Sequence, residues 1–133
     1  MTYALDTNTI IDYLNGRKTV ATKFLSVAKS NTPMVIPIVV DYEVMRGFYH
    51  TPCSDRETVY SRIKMFCPVV DVTADMWDCA VSTWAKLKKS RITIGDADLI
   101  IASQCIVSGY TIVTRNVKHF NPINGLPIEN WAV

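Results

Sequence analysis

The stretch DLIIASQCIVSGYTIVT (Asp98–Thr114) reads as a helix, a stop and a strand in immediate succession. Asp98–Ser108 carries helix-forming and apolar residues, and Gly109 stands where a left-handed residue ends a helix. Thr111–Thr114 is rich in β-branched residues, which suit a pleated, buried strand. Moving outward, the same alternation recurs on the N-terminal side. Thr2–Leu5 is a short apolar strand that runs into Asp6-Thr7-Asn8-Thr9, a helix-start signal. Ile10, Ile11 and Leu14 then follow at helical spacing up to Asn15-Gly16. Val20–Ser30 predicts a second amphipathic helix with Phe24, Leu25 and Ala28 on its inner face. Pro33 and Pro37 bracket a strand at Met34–Ile36. Helices are predicted over Val39–His50, with Val40, Val44 and Phe48 inward, and over Ser54–Phe66. Pro68–Val72 is the next strand, and Thr73 caps a long helix reaching Lys89 with Met76, Ala80, Trp84 and Leu87 as its apolar stripe. Leu126–Trp131 adds an edge strand entered through Pro127. No repeat period interrupts this order.

Strands separated by helices imply right-handed βαβ units and a mainly parallel sheet covered on both faces. The expected fold is a three-layer α/β/α sandwich in one domain spanning residues 1–133. At 133 residues and 49% hydrophobic composition, the chain has enough apolar material for a core. The opening MTYALDTN lacks a basic segment followed by an apolar run, and stretches such as Met34–Val40 and Leu99–Ala102 are too short to cross a bilayer. A soluble, cytoplasmic protein is therefore expected. Cys53, Cys67, Cys79 and Cys105 form no CxxC pair and no Cys/His set with zinc spacing, so they read as small hydrophobes. The net charge of +2 is too small to argue for a nucleic-acid partner by itself.

Chemistry concentrates in the acids. In open parallel sheets ligands bind beyond the carboxyl ends of the strands, where the strand order reverses. Asp6 directly follows the first strand, Asn116 follows the Thr111 strand, Glu43 lies within the helix after the Pro-bracketed strand, and Asp96 and Asp98 open the last long helix. Each has a plainer use: Asp6, Asp96 or Asp98 can cap a helix or complement its dipole, and Glu43 can sit on a solvated face. Their joint placement, with apolar neighbours on both sides, favours a cleft. Carboxylates gathered there repel one another, and a hard divalent cation such as Mg²⁺ or Mn²⁺ relieves the repulsion and activates water for phosphodiester hydrolysis. Nucleophile elbows, Walker loops and dinucleotide fingerprints are absent, and the two histidines, His50 and His119, suggest no catalytic pair.

The segments Leu5-Asp6-Thr7-Asn8, Tyr42-Glu43-Val44-Met45-Arg46-Gly47, Ile94–Ala102, Ile112–Asn116 with His119-Phe120, and Gly125–Trp131 resemble, in order, the PIN-domain ribonucleases. Among these they are most similar to the VapC-type toxins of bacterial toxin–antitoxin pairs. The resemblance implies a Mg²⁺- or Mn²⁺-dependent endoribonuclease acting on structured RNA such as tRNA. It also implies a homodimer and a VapB-type antitoxin that enters the active-site groove. Carried over, Asp6 and Asp98 hold the metal and Glu43 binds it or orients the attacking water. Asn116 stands where the family often has a fourth acid and positions water or phosphate, which leaves charge for one metal ion. Asp96 is then a cap or an auxiliary ligand, and Thr114 is a hydroxyl that helps hold this edge of the site. Arg46, Thr114 and Arg115 are the expected substrate-side residues, with Lys118 nearby. Lys86, Lys88, Lys89 and Arg91 form a second basic cluster, suited to phosphate or simply to a helix C-terminus. Two rival readings remain at this level: a receiver-like phosphoacceptor domain using Asp71, and a PIN-fold binding module without chemistry.

Overall fold

The structure, a computed structural model, describes residues 1–133. In chain order the elements are β1 (Tyr3–Leu5), α1 (Thr7–Leu14), α2 (Lys18–Lys29), β2 (Met34–Pro37), α3 (Ile38–His50), α4 (Ser54–Phe66), β3 (Val69–Val70), α5 (Ala74–Lys89), α6 (Asp96–Ser108), β4 (Thr111–Val113), α7 (Val117–Phe120) and β5 (Ile128–Glu129). The strands form one sheet in the order β3-β2-β1-β4-β5, and every pairing is parallel. The chain thus winds outward from β1 to β3, returns across the sheet to β4, and places β5 on the far edge. Right-handed crossovers put α1–α4 against one face and α5 and α6 against the other, giving the three layers expected. Accordingly α1 packs on α2, α3 and α4, α5 packs on α6, and α3 meets α6.

The reversal of winding lies between β1 and β4. Tyr3, Ala4 and Leu5 pair in register with Thr111, Ile112 and Val113, and the ladder continues through the Asp6 N–H to the Val113 carbonyl at 3.0 Å. Both strands are buried along their whole length, as a central parallel strand covered on two faces must be. A core of 29 residues surrounds them, drawing Val40, Val44 and Phe48 from α3, Ile101, Ala102 and Cys105 from α6, and Phe120 from α7. Each fully buried aliphatic or Phe side chain contributes about 1.5–3 kcal/mol. That burial, more than the three-residue strands themselves, fixes the positions of the strand ends.

Several boundaries differ from the sequence reading. Gly109 does end α6, with φ 72°, but α6 begins at Asp96, so Asp98 lies within its first turn. The strands near Pro68 and Pro127 shrink to Val69–Val70 and Ile128–Glu129, because edge strands pair on one side only. Leu25 faces solvent on α2, where Val27 takes the buried position, and Trp84 is 47% exposed on α5. A short helix, α7, follows β4 and carries His119, and its anchor is the buried Phe120. No helix is long and apolar enough to cross a membrane.

Candidate active site

Asp6 occupies the hinge between β1 and α1. Its Oδ1 accepts the Thr7 N–H at 2.8 Å, so it does cap α1. Its Oδ2 accepts the Thr114 hydroxyl at 2.7 Å and the Asn8 side-chain amide at 3.2 Å. Only 3% of Asp6 is exposed, and burial raises its pKa above the ordinary carboxyl value. The hydrogen bonds from Thr114 and Thr7 oppose that rise, while the nearby Asp98 and Glu43 charges add to it. Thus the plain capping role and a place in an acid cluster hold together in one residue.

Thr7 links Asp6 to α3: its hydroxyl donates to Glu43 Oε1 at 2.8 Å while its N–H serves Asp6. Arg46, one turn further along α3, approaches Glu43 Oε2 at 3.8 Å and stacks over the Tyr42 ring. Asp98 projects from the first turn of α6 and meets His119 Nδ1 at 3.5 Å. On the β4 side, Thr114 Oγ1 accepts the Asn116 N–H at 3.0 Å, and the Arg115 N–H donates to Asn8 Oδ1 at 2.9 Å.

These elements enclose a cleft of about 300 Å³ lined by Asp6, Thr7, Asn8, Ile11, Glu43, Asp98, Arg115 and Asn116. The structure therefore brings Asp6, Glu43, Asp98 and Asn116 to one place at the carboxyl ends of β1 and β4. Thr114 is not part of that surface. It is wholly buried behind Asp6, so its expected contact with substrate gives way to a role in orienting the acid. Asp96 also departs from expectation: Gly95 is the N-cap of α6, and Asp96 lines a separate apolar groove with Trp77, Val81 and Trp84. Lys86, Lys88 and Lys89 complement the C-terminus of α5 and are not among the cleft residues. Asp71 follows β3 at the sheet edge, which removes it from the strand ends a phosphoacceptor would share with Asp6.

A hard divalent cation fits this donor set. An ionised carboxylate offers about four lone-pair sites. Three of those on Asp6 are taken by Thr7, Asn8 and Thr114, and one on Oδ1 is left. No three or more His, Cys, Asp or Glu side chains form a ready-made metal cage. Mg²⁺ does not need one, because it takes one or two carboxylates and completes its shell with water. The cluster also lacks close internal neutralisation, since the nearest arginine contact to a cleft acid is the 3.8 Å approach of Arg46.

The PIN domain profile matches residues 3–123. The chain belongs to the PIN domain family. Along its whole length this PIN domain is similar to proteins named ribonuclease VapC. Ribonuclease VapC2 of Rickettsia felis is 28% identical over 134 aligned residues, covering 98% of each chain. Ribonuclease VapC1 of Haemophilus influenzae strain R2866 is 26% identical over 138, covering 99% of each. Among solved structures, VapBC2 from Rickettsia felis bound to a DNA fragment from its promoter superposes with a TM-score of 0.89 at 26% identity, over 98% of this chain and 99% of that one. VapBC-1 from nontypeable Haemophilus influenzae shares the fold, with a TM-score of 0.87 at 24% identity over the full length of both chains.

Two features of the PIN domain cleft went unread in the sequence. His119, carried on α7, approaches Asp98 at 3.5 Å, and the short Val117–Phe120 stretch carries too few residues to show a period. Asp12, 7% exposed on α1, holds Arg115 at 2.7 Å from 103 positions away. The available signal was an acid beside Ile10-Ile11 on an apolar helix, which demands a partner without naming it.

Proposed function

We propose that this PIN domain is a VapC-type endoribonuclease dependent on Mg²⁺ or Mn²⁺, the toxin of a toxin–antitoxin pair. The observation that carries the reading is the convergence of Asp6, Glu43 and Asp98, with Asn116, on one cleft at the switch point of the sheet. Support also comes from full-length similarity to proteins named ribonuclease VapC, and from solved neighbours that are VapBC complexes. A VapB-type antitoxin is accordingly the proposed partner and a homodimer the proposed assembly. Structured RNA, with tRNA to be tried first, is the proposed substrate.

Asp6 and Asp98 hold the cation in this scheme. When bound, a divalent cation supplies positive charge against phosphoryl oxygens and makes a neighbouring water more acidic. Glu43, fixed by the Thr7 hydroxyl through Oε1, meets only the 3.8 Å approach of Arg46 at Oε2, which leaves that oxygen to orient the attacking water and take its proton. The Asn116 side chain, neutral and on the opposite wall, positions water or phosphate by hydrogen bonding. Arg46 and Arg115 meet RNA phosphates at the rim, where arginine adds affinity without reading sequence. In-line hydrolysis forms one P–O bond from the water oxygen and breaks the one to the leaving ribose oxygen; the proton from water passes to Glu43, and the leaving oxygen takes a proton from solvent.

The test is cleavage of tRNA and hairpin RNA by purified protein in Mg²⁺ or Mn²⁺, with and without chelator, beside Asp6→Ala and Asp98→Ala. Loss of cleavage in chelator and in both variants is expected. Activity that survives chelator and both substitutions overturns the metal-ribonuclease reading, and folded protein inert toward every RNA favours a non-catalytic module.

A further inference from the structure

Arg115 sits on the wall of an acidic cleft, yet its guanidinium pairs with none of the cleft acids. Its Nε lies 2.7 Å from Oδ2 of Asp12, a carboxylate buried on α1. The terminal nitrogens of Arg115 donate no hydrogen bond to another protein group, the one hydrogen bond of this residue to a side chain coming from its backbone N–H. Its backbone is held too, through the 2.9 Å bond from its N–H to Asn8 Oδ1. Asp12 also meets Arg17 Nη1 at 3.4 Å, but Arg17 is committed elsewhere, donating through Nη2 to the Ala132 carbonyl at 3.2 Å. One carboxylate thus serves two guanidinium groups, and the surplus positive charge is left at the cleft.

We propose that Asp12 is a positioning residue: by its ion pair at the Nε end of Arg115 it keeps the paired Nη donors free to grip an RNA phosphate. The inference rests on the ribonuclease reading and adds a residue to it. Arginine recognises phosphate through two parallel N–H donors on one edge of a rigid plane. An ion pair at Nε holds that end of the guanidinium against α1 while leaving the NH₂ groups for the ligand. The clamp has a second consequence. An unanchored arginine beside Asp6, Glu43 and Asp98 is drawn onto those carboxylates, where it competes with the divalent cation and loses its donors to the protein. Asp12 provides a competing acceptor behind the cleft wall, so the site keeps both an acidic floor and a cationic rim.

The experiment compares wild type with Asp12→Asn, Arg115→Ala and the double variant. The readouts are KM and kcat on a hairpin RNA, anisotropy of the same labelled RNA without divalent metal, and Mn²⁺ affinity by calorimetry. Asp12→Asn is expected to weaken RNA affinity and raise KM by about tenfold, the size of one well-placed charged contact. The same change in the Arg115→Ala background should add no more than about twofold, since the pair acts as one unit. Arg115→Lys provides an arm that leaves buried Asp12 in place. Lysine keeps the charge but has no Nε edge to clamp, so it should bind RNA nearly as weakly as Arg115→Ala. The proposal is overturned if Asp12→Asn costs as much without Arg115 as with it, if Arg115→Lys binds like wild type, or if Asp12→Asn lowers thermal stability while RNA affinity and KM stay unchanged. Wild-type protein that neither binds nor cuts RNA sinks the ribonuclease reading and this proposal together; wild-type cleavage with no Asp12–Arg115 coupling sinks the proposal alone.

Discussion

Replacing Thr114 by valine removes one oxygen and keeps the side-chain shape, in the most enclosed part of the site. That oxygen serves three partners: it donates to Asp6 Oδ2 at 2.7 Å, and accepts the Asn116 N–H at 3.0 Å and the Asn8 amide at 3.2 Å. A hydrogen bond to an ionised group contributes about 1.5–3 kcal/mol, and a buried donor left without its acceptor costs about 1 kcal/mol or more. The Asn8 amide loses less, because it still donates to Asp6. The sum is roughly 3 kcal/mol, a large share of the 5–15 kcal/mol that holds a typical domain together. For a chain of this length that corresponds to a fall in Tm of about 10 °C. Thermal unfolding followed by circular dichroism in chelator isolates this from metal binding, and RNA cleavage in Mn²⁺ reads the misdirected Asp6. Thr114→Ser should recover most of both, since it restores the hydroxyl. A Thr114→Val protein as stable and as active as wild type would refute the claim that this hydroxyl orients Asp6.

Two further outcomes follow from the same chemistry. Burial raises the pKa of Asp6, so its contribution to stability is present below the unfolded carboxyl range and is lost as pH rises through the folded value. At neutral pH the ionised group therefore opposes folding. In chelator, Asp6→Asn should unfold at a higher temperature than wild type while failing to cleave RNA, and the gap should narrow toward about pH 4; a lower Tm at neutral pH would contradict this. Cys67 and Cys105 are wholly buried, and burial pushes both thiols up to about 12. At about pH 8 a thiol reagent should modify the partly exposed Cys53 and Cys79 in folded protein and reach the other two only on unfolding.

Much of the fold was legible because local signals agreed with one another. Gly109 ends α6 where a left-handed residue was expected, and the brackets at Pro33 and Pro37 mark β2 to within a residue. Asp6, Asp98 and Asn116 were legible as candidates because each sits near the end of a strand or the start of a helix, Glu43 because it is an acid among apolar neighbours within α3, and one cleft contains all four. What escaped was set by distant partners. Leu25 looked as apolar as Val27, and only packing decides which of them α2 buries. Thr114 was visible as a hydroxyl near the site, but its total burial depends on β4 lying between β1 and β5. The choice of Asp98 over Asp96 leaned on resemblance; the structure separates them by which side of the α6 N-terminus each one faces, the cleft or the Trp77–Trp84 groove.

The pairing of β1 with β4 has a consequence for how the cleft comes into being during synthesis. Asp6 emerges from the ribosome early, but the hydroxyl that orients it arrives 108 residues later. Until then β1 has only β2 beside it, and neither the far wall nor the Asn116 and Arg115 donors exist. A growing chain or an early-terminated fragment thus carries Asp6 and Glu43 with no assembled centre. The order of the strands therefore delays assembly of the centre until β4 and Thr114 have been translated.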